Sequence, residues 1–268
     1  MSSGAHPPLE ASGAHPRPPP APAPNTAVPD TLGRPLIERD EVTSTNDLLK
    51  SMAADGAPEG TTVVARHQTR GRGQQGRRWH SPPELGLYLS VLLRPTWRAD
   101  DSGPLALLAG LALATACDAL GVKAVRLKWP NDVLAGGRKI GGVLVEPTLR
   151  GAHLEYAVLG FGMNVLHTAE DFPPELRATA TSCRLAGVAT DCAAARVAVL
   201  RALNRWYETA KAGSLDTLYS AWAERAREGM ARDREAQTPR SAALQGWKDT
   251  LRRNRKKTDE SPGTNPAD

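Results

Sequence analysis

"AVRLKWPNDVLAGGRKIGGVLVEP", residues 124–147, decides the fold class. It reads as a strand, a short excursion at Pro130–Asp132, a Gly136-Gly137 turn and a returning strand. A Gly-Gly pair supplies positive φ at both central positions of a two-residue hairpin, so the strands on either side run antiparallel. Working outward, "HLEYAVLGFGMNV" (153–165) and "LGLYLSVLLRP" (85–95) read as further strands, the second alternating at first and then wholly apolar. "TTVVARHQ" (61–68) is a β-branched strand, and "PLIERDEV" (35–42) is strand-like. Three segments carry helical signals. "TSTNDLLKSMAADGAPEG" (43–60) opens on Ser, Thr and Asn and reaches Gly56 near its end; residues 104–120 are apolar on nearly every side; "DCAAARVAVLRALNRWYETAK" (191–211) has Asp191 as N-cap. Helices together with hairpin-joined strands predict an α/β architecture: a mixed sheet flanked by helices, not a purely parallel one.

The two ends differ from this body. Residues 1–34 are rich in Pro and Ala, with nine prolines in the first thirty, and cannot bury enough apolar area to offset their ordering entropy. They are expected to be a disordered extension. Residues 35–228 form the expected folded domain, and residues 229–268 a polar, basic tail, expected to be disordered. The chain of 268 residues has a formal charge of +5, which suggests nucleic acid until it is localised. Residues 223–257 hold eleven Lys/Arg against five Asp/Glu, a balance of +6 that leaves the remainder at −1. Specific DNA binding by the folded body is therefore not expected. Cys117, Cys183 and Cys192 show no CxxC spacing, which argues against both a disulfide framework and a zinc site. The longest apolar run, "PLALLAGLALATACDALG", falls short of a membrane span and contains Asp118. No signal peptide is evident, so a cytoplasmic location without membrane contact is expected.

Chemistry concentrates in three places. "TRGRGQQGRRWHSP" (69–82) comes directly after a strand. Its glycines let backbone approach a ligand closely, and Arg72 and Arg77 offer guanidinium forks for carboxylate or phosphate. An exposed Arg/Gly turn with solvated charges is the ordinary alternative. The GxxxxGK[ST] spacing of a P-loop is absent. Gly71, Gly73 and Gly76 match GxGxxG, but the next residues, "RRWHSPP" (77–83), do not open a helix. In "RLKWPND" (126–132), Lys128 sits between apolar Leu127 and Trp129; such a lysine either faces solvent or serves an anion. Lys139 returns toward it across the hairpin. "TSTN" (43–46) suits helix capping, which by itself would account for it.

Taken together, "STN" (44–46), Gln68 with "GRGQQGRRW" (71–79), "KWPND" (128–132), "GRKIGGVLVE" (137–146) and "GFGMN" (160–164) resemble the biotin–protein ligases. The resemblance runs from about residue 36 to 228. It implies a catalytic domain related to the class II aminoacyl-tRNA synthetases, of the short type without an N-terminal DNA-binding domain. It also implies an ATP-dependent reaction in which biotin becomes biotinyl-5'-AMP and passes to a lysine of the biotin carboxyl carrier domain of a carboxylase, here of the acetyl-CoA carboxylase kind. ATP, Mg²⁺ and biotin would be the small molecules; no tightly bound cofactor and no protein-held metal are implied, and a homodimer is compatible with it.

By the match, Lys128 and Arg72 would act at the carboxylate–phosphate junction. Ser44, Thr45, Asn46, Gln68, Gly71, Arg72, Lys128, Gly141 and Gly142 would bind biotin. Arg72, Gln74, Trp79, Asn131, Lys139 and Asn164 would bind the nucleotide. Two departures stand out. Gln74 occupies a position where many family members carry arginine. The small SH3-like domain that usually ends the family's chains is expected to be absent, because the sequence from about Gly229 is polar and without strand patterning; either that domain is replaced or the reading frame has shifted. The competing readings are a catalytically impaired biotin or biotinyl-adenylate binder, a lipoate or octanoate transferase of the same fold, and a nucleic-acid binder using the tail.

Overall fold

The computed structural model describes residues 32–98 and 104–227. The Pro/Ala-rich N-terminal segment up to Thr31 and the tail from Glu228 lie outside the described residues, as do the expectations attached to them.

Seven strands form one sheet: β1 (Leu36–Val42), β2 (Thr62–Gln68), β3 (Gly86–Leu93), β4 (Val125–Lys128), β5 (Asp132–Ala135), β6 (Arg138–Arg150) and β7 (His153–Asn164), in the spatial order β1-β2-β3-β7-β6-β5-β4. The pair β1–β2 is parallel and every other neighbour pair is antiparallel, so the sheet is mixed. The β5–β6 hairpin turns at Gly136 and Gly137, with φ of 56° and 81°. Both values lie in the left-handed region that a two-residue turn of this hand requires.

Side-chain parity divides the sheet into two faces. On β7, Ala157, Leu159, Phe161 and Met163 point into the main core, as do Leu87, Leu89, Val91 and Leu93 of β3. Helix α2 (Pro104–Ala119) lies against that face and is covered in turn by α3 (Cys192–Lys211) and α4 (Leu215–Arg227). This sandwiching is why α2 is apolar all round: twelve of its residues are buried, among them Leu105, Leu108, Leu111 and Leu113. Asp191 caps α3 by accepting from the Ala194 amide at 2.7 Å. The sequence reading places no element between Lys211 and Gly229, yet α4 is there. Its Leu218, Trp222 and Ala226 recur at helical spacing, and the Trp222 ring meets Trp129 edge-on at 5.6 Å. A single short amphipathic stripe behind Gly213 carries little signal until its packing partner is known.

Among the described residues, the α-helix on the opposite face is α1 (Thr45–Ala54), whose Leu49 and Ala53 pack on Val63, Leu92, Tyr156 and Val158. Alpha1 covers one half of this face. Beyond it the same parity on β7 continues as Gly160, Gly162 and Asn164, and on β6 as Gly142, Leu144 and Glu146. The half not covered by helix is floored by glycine backbone.

Among the described residues, no helix is long and apolar enough to cross a membrane. Cys117, Cys183 and Cys192 are all free thiols. Leu111 is fully buried between sheet and helices; Leu111→Ala should cost about 2–5 kcal/mol of unfolding free energy, read as a lower urea midpoint at unchanged slope.

Candidate active site

One transverse row of paired residues crosses five strands on the open face: Tyr88 on β3, Gly162 on β7, Gly142 on β6, Asp132 on β5 and Lys128 on β4. A second row, one step along, runs from Ser90 through Gly160 to Leu144. These rows floor a cavity of about 460 Å³ walled by the α1 N-terminus, the 69–82 loop and the segment around Phe172–Ala180. That volume lies within the range of small-molecule sites.

The glycine floor is a matter of clearance. A Cβ on Gly162 would fall 2.5 Å from Cε2 of the Trp79 indole, and one on Gly160 would collide with the Asn46 side chain. Trp79 therefore lies flat against the strand, with its Nε1 buried and without a hydrogen-bond partner. Lys139 Nζ stands 5.2 Å from the centre of that ring and pairs with Asp132 at 2.5 Å.

At the α1 end the polar residues are knit together. The Thr45 amide donates to Gln68 Oε1 at 2.9 Å, and Gln68 Nε2 donates to Ser81 Oγ at 3.0 Å. Ser90 Oγ donates to Asn46 Oδ1 at 2.6 Å, while Asn46 Nδ2 donates to Glu146 Oε2 at 2.9 Å. Ser44 is the N-cap of α1, but its side chain makes no capping bond. Capping thus does not account for the "STN" residues, whose side chains line the cavity instead.

The Arg/Gly loop is ordered. Gly73 and Arg77 close it through an N–H···O bond of 2.7 Å, Trp79 N bonds Gly71 O at 2.9 Å, and Gln75 takes a left-handed turn conformation at φ 57°. Arg72 reaches back to α1 and β6. Its Nη2 donates to Glu146 Oε1 at 2.8 Å and its Nη1 to Glu146 Oε2 at 3.3 Å, a fork; Nη1 also pairs closely with Asp47. Lys50 Nζ adds a third cationic contact to Glu146 at 3.2 Å. Burial works to raise the Glu146 pKa, but the Asn46 hydrogen bond and the charges of Lys50 and Arg72 outweigh it and hold the carboxyl below its ordinary value.

Most residues singled out in the sequence converge on the cavity. Ser44, Thr45, Asn46 and Gln68 line one end, and Arg72, Gln74 and Trp79 close over it. Lys128 and Gly142 lie along the transverse row, and Lys139, paired with Leu134 beyond the bulge, reaches the cavity beside them. Lys128 is exposed at the rim and, among the described residues, takes no ion-pair partner. Asn131 and Asn164 also border the cavity, but their amides are occupied: Asn131 Nδ2 donates to Val143 O at 3.0 Å and Asn164 Nδ2 to Thr181 O at 2.9 Å. Two expectations of direct lining are corrected. Gly141 has the wrong parity and faces Leu113, and Gly71 lies behind the loop, where a Cβ would meet Ser81 Oγ at 2.5 Å and Trp79 O at 2.6 Å. Both positions require glycine for packing.

Asp47, Lys50, Ser90, Asp132, Glu146 and Phe172 were missed by the sequence reading. Glu146 and Asp132 lie within quoted motifs, and counting alternate residues from Gly142 would have placed Glu146 on the open face. Asp47, Ser90 and Phe172 arrive through tertiary structure and leave no local signal.

This geometry has counterparts among known proteins. The biotin/lipoate A/B protein ligase family matches residues 36–164. A biotin protein ligase from Aquifex aeolicus, solved with biotin and ATP, superposes with a TM-score of 0.61 at 31% identity, covering 72% of this chain and 78% of that one. The chain belongs to the biotin/lipoate A/B protein ligase family. Within this ligase family, the enzyme from Leishmania major in complex with biotinyl-5-AMP superposes with a TM-score of 0.55 at 29% identity, over 68% of this chain and 80% of that one. Among curated relatives, the biotin–[acetyl-CoA-carboxylase] ligase of Mycobacterium tuberculosis is 39% identical over 156 residues, 54% of this chain and 53% of its own. The bifunctional ligase/repressor BirA of Bacillus spizizenii is 38% identical over 153 residues, 57% of this chain and 47% of its own. The chain spans about half the length of the curated relatives it matches.

Behind the Phe172 wall, His167 is fully buried and stacks on Phe172 at 4.8 Å. Burial, aided by nearby His80 and only partly offset by Asp171, pushes its pKa down to about 4. The unfolded chain then binds a proton at His167 that the folded chain refuses between about pH 6.5 and 4. Stability should fall as pH drops through that window, by up to about 3 kcal/mol. Denaturant titrations of wild type and His167→Gln at several pH values check this, and the variant should show a flatter profile.

Proposed function

We propose that the chain is the catalytic unit of an ATP-dependent biotin–protein ligase, which activates biotin to biotinyl-5'-AMP and transfers it to a lysine of the biotin carboxyl carrier domain of a carboxylase. The observation that carries this reading is the transverse row. It sets a side-chain-free floor between a neutral polar end (Thr45, Asn46, Gln68) and a cationic end (Lys128, Lys139), with Arg72 on the loop above. A bicyclic urea with an apolar chain suits the first part, and a carboxylate meeting a phosphate suits the second. The Aquifex aeolicus relative, solved with biotin and ATP, supports the same ligand pair.

On this reading, the biotin carboxylate oxygen attacks the α-phosphorus of ATP, and the bond to the β-phosphate bridging oxygen breaks, releasing pyrophosphate. The carrier lysine, as a free amine, then attacks the acyl carbon of the mixed anhydride; the acyl C–O bond breaks, AMP leaves with the electron pair, and the amine sheds a proton. Both nucleophiles belong to substrates. The chain's task is alignment and charge neutralisation. Lys128 meets the charge where carboxylate and α-phosphate join, and Arg72 swings from the loop onto the same phosphate. Ser44, Thr45 and Gln68 take the ureido ring, and the side-chain-free positions Gly142 and Gly162 leave room for Lys139 and Trp79 to lie along the strands beside the ligand. Trp79 and Lys139 border the nucleotide, and Asn131 and Asn164 brace that wall. Gln74 leaves the loop one cation short of the arginine-bearing relatives.

Among the described residues, no group of three His, Cys, Asp or Glu side chains is placed to hold a metal. On the ligase reading, Mg²⁺ enters with the triphosphate, held chiefly by phosphate oxygens and water. The partner is a carrier domain; specific DNA binding is not part of the proposal, and a homodimer remains compatible with it.

Incubation with labelled biotin, ATP, Mg²⁺ and a carrier domain tests the proposal. Label should appear on the carrier, and as biotinyl-adenylate when the carrier is omitted. Absence of both products overturns the ligase reading, and stronger competition by lipoate than by biotin redirects it to the lipoate branch. Lys128→Ala should lower adenylate formation by about 10²-fold or more, with the fold intact by circular dichroism.

A further inference from the structure

Arg72 is the loop cation that the ligase reading sends to the phosphate, and it already has anionic partners within the chain. Two carboxylates from two different elements hold it. Asp47 comes from the first turn of α1, and Glu146 comes from the open face of β6. Glu146 grips the guanidinium as a fork, through contacts of 2.8 Å and 3.3 Å. It is itself held in place by Asn46 Nδ2 at 2.9 Å and Lys50 Nζ at 3.2 Å, and its side chain is only 16% exposed. A carboxylate fixed by two further donors has little freedom to track the arginine when it moves. The loop backbone is closed by bonds of its own, Gly73 N to Arg77 O at 2.7 Å and Trp79 N to Gly71 O at 2.9 Å, so Arg72 projects from a fixed turn.

We propose that Glu146, together with Asp47, is a positioning residue that docks Arg72, so that an adenylate must win Arg72 from two carboxylates. This rests on the ligase reading above and adds to it a counterweight to tight adenylate binding. The docked fraction of Arg72 is unavailable to phosphate, and the observed affinity falls by that fraction. With Gln74 leaving the loop without a second cation at that point, the contest over Arg72 bears directly on how long the intermediate is retained.

Two variants test this without disturbing the core. Glu146→Gln keeps shape and an acceptor for Asn46, and Asp47→Asn alters an exposed first-turn residue. In the ligand-free protein, trypsin should cut within residues 70–78 several-fold faster in either variant than in wild type, at unchanged melting temperature. An unchanged loop cleavage rate in both overturns the docking. Titration with a non-hydrolysable sulfamoyl analogue of biotinyl-adenylate supplies the second readout. Each variant should bind it about five-fold more tightly and release it more slowly, as expected when one partly buried ion pair no longer competes. The gain should vanish in an Arg72→Ala background. A Glu146 that merely supported the fold would make binding weaker on substitution, so unchanged or weaker binding in both variants overturns the competition. A wild-type chain that binds no analogue overturns the ligase reading, while the proteolysis result still decides the docking by itself.

Discussion

The site depends on one constraint: along β6 and β7, alternate residues must serve opposite faces of a single sheet layer. Phe161 and Met163 face the core, while Gly160 and Gly162 between them face the cavity. The strand is held from below by its bulky residues, and above it the missing side chains make room for Trp79 over Gly162 and Asn46 over Gly160. A cavity floored in this way needs no empty space in the core. The face under α2 packs densely, and the open face gains its depth from missing side chains. The residues that anchor the floor are the immediate neighbours of those that form it.

This arrangement explains why the site's charged groups come from the margins. Lys128 and Asp132 lie on β4 and β5, at and next to one edge of the sheet, and Arg72 and Asp47 come from a loop and a helix start. Lys139 and Glu146 are the exceptions: both rise from β6, Lys139 over Gly142, and both are tied down by ion pairs, Lys139 to Asp132 and Glu146 to Arg72 and Lys50. The neutral donors and acceptors sit deeper, at the α1 end, where Thr45, Asn46, Gln68 and Ser90 satisfy one another. Buried polar groups persist at low cost only when so connected. A saturated polar end and a cationic rim suit ligands that are neutral at one end and anionic at the other.

Much of the fold was legible because its signals are local. The Gly136-Gly137 turn, the apolar run of α2 and the Asp191 cap each act over a few residues. The hairpins together implied the mixed sheet. Alpha4 was not legible, since its stripe acquires meaning only against Trp129 and the outer surface of α2. The site divides in the same way. "STN", Gln68, the Arg/Gly loop and "KWPND" could be found as motifs, and most of their residues do meet. Gly141 was misassigned because a motif names consecutive residues while a strand presents only every second one. Glu146 was overlooked for the converse reason: it stood at the end of a quoted motif as an apparent surface charge. The ion pair that engages Arg72 joins residues separated by 74 positions in sequence, and no window along the chain contains it.

Ser44 illustrates a conflict built into such a site. As N-cap of α1 it is placed to accept from a first-turn amide, a bond commonly worth about 1 kcal/mol, and its side chain does not make that bond. The residue lines the cavity instead. Selection for thermal tolerance and selection for activity would therefore pull this one residue in opposite directions. A chain evolved only for heat resistance would be free to bend the hydroxyl back onto the helix or replace it with a stronger cap. Thermostable descendants that improve this helix start are where loss of the pocket's polar end would first be found.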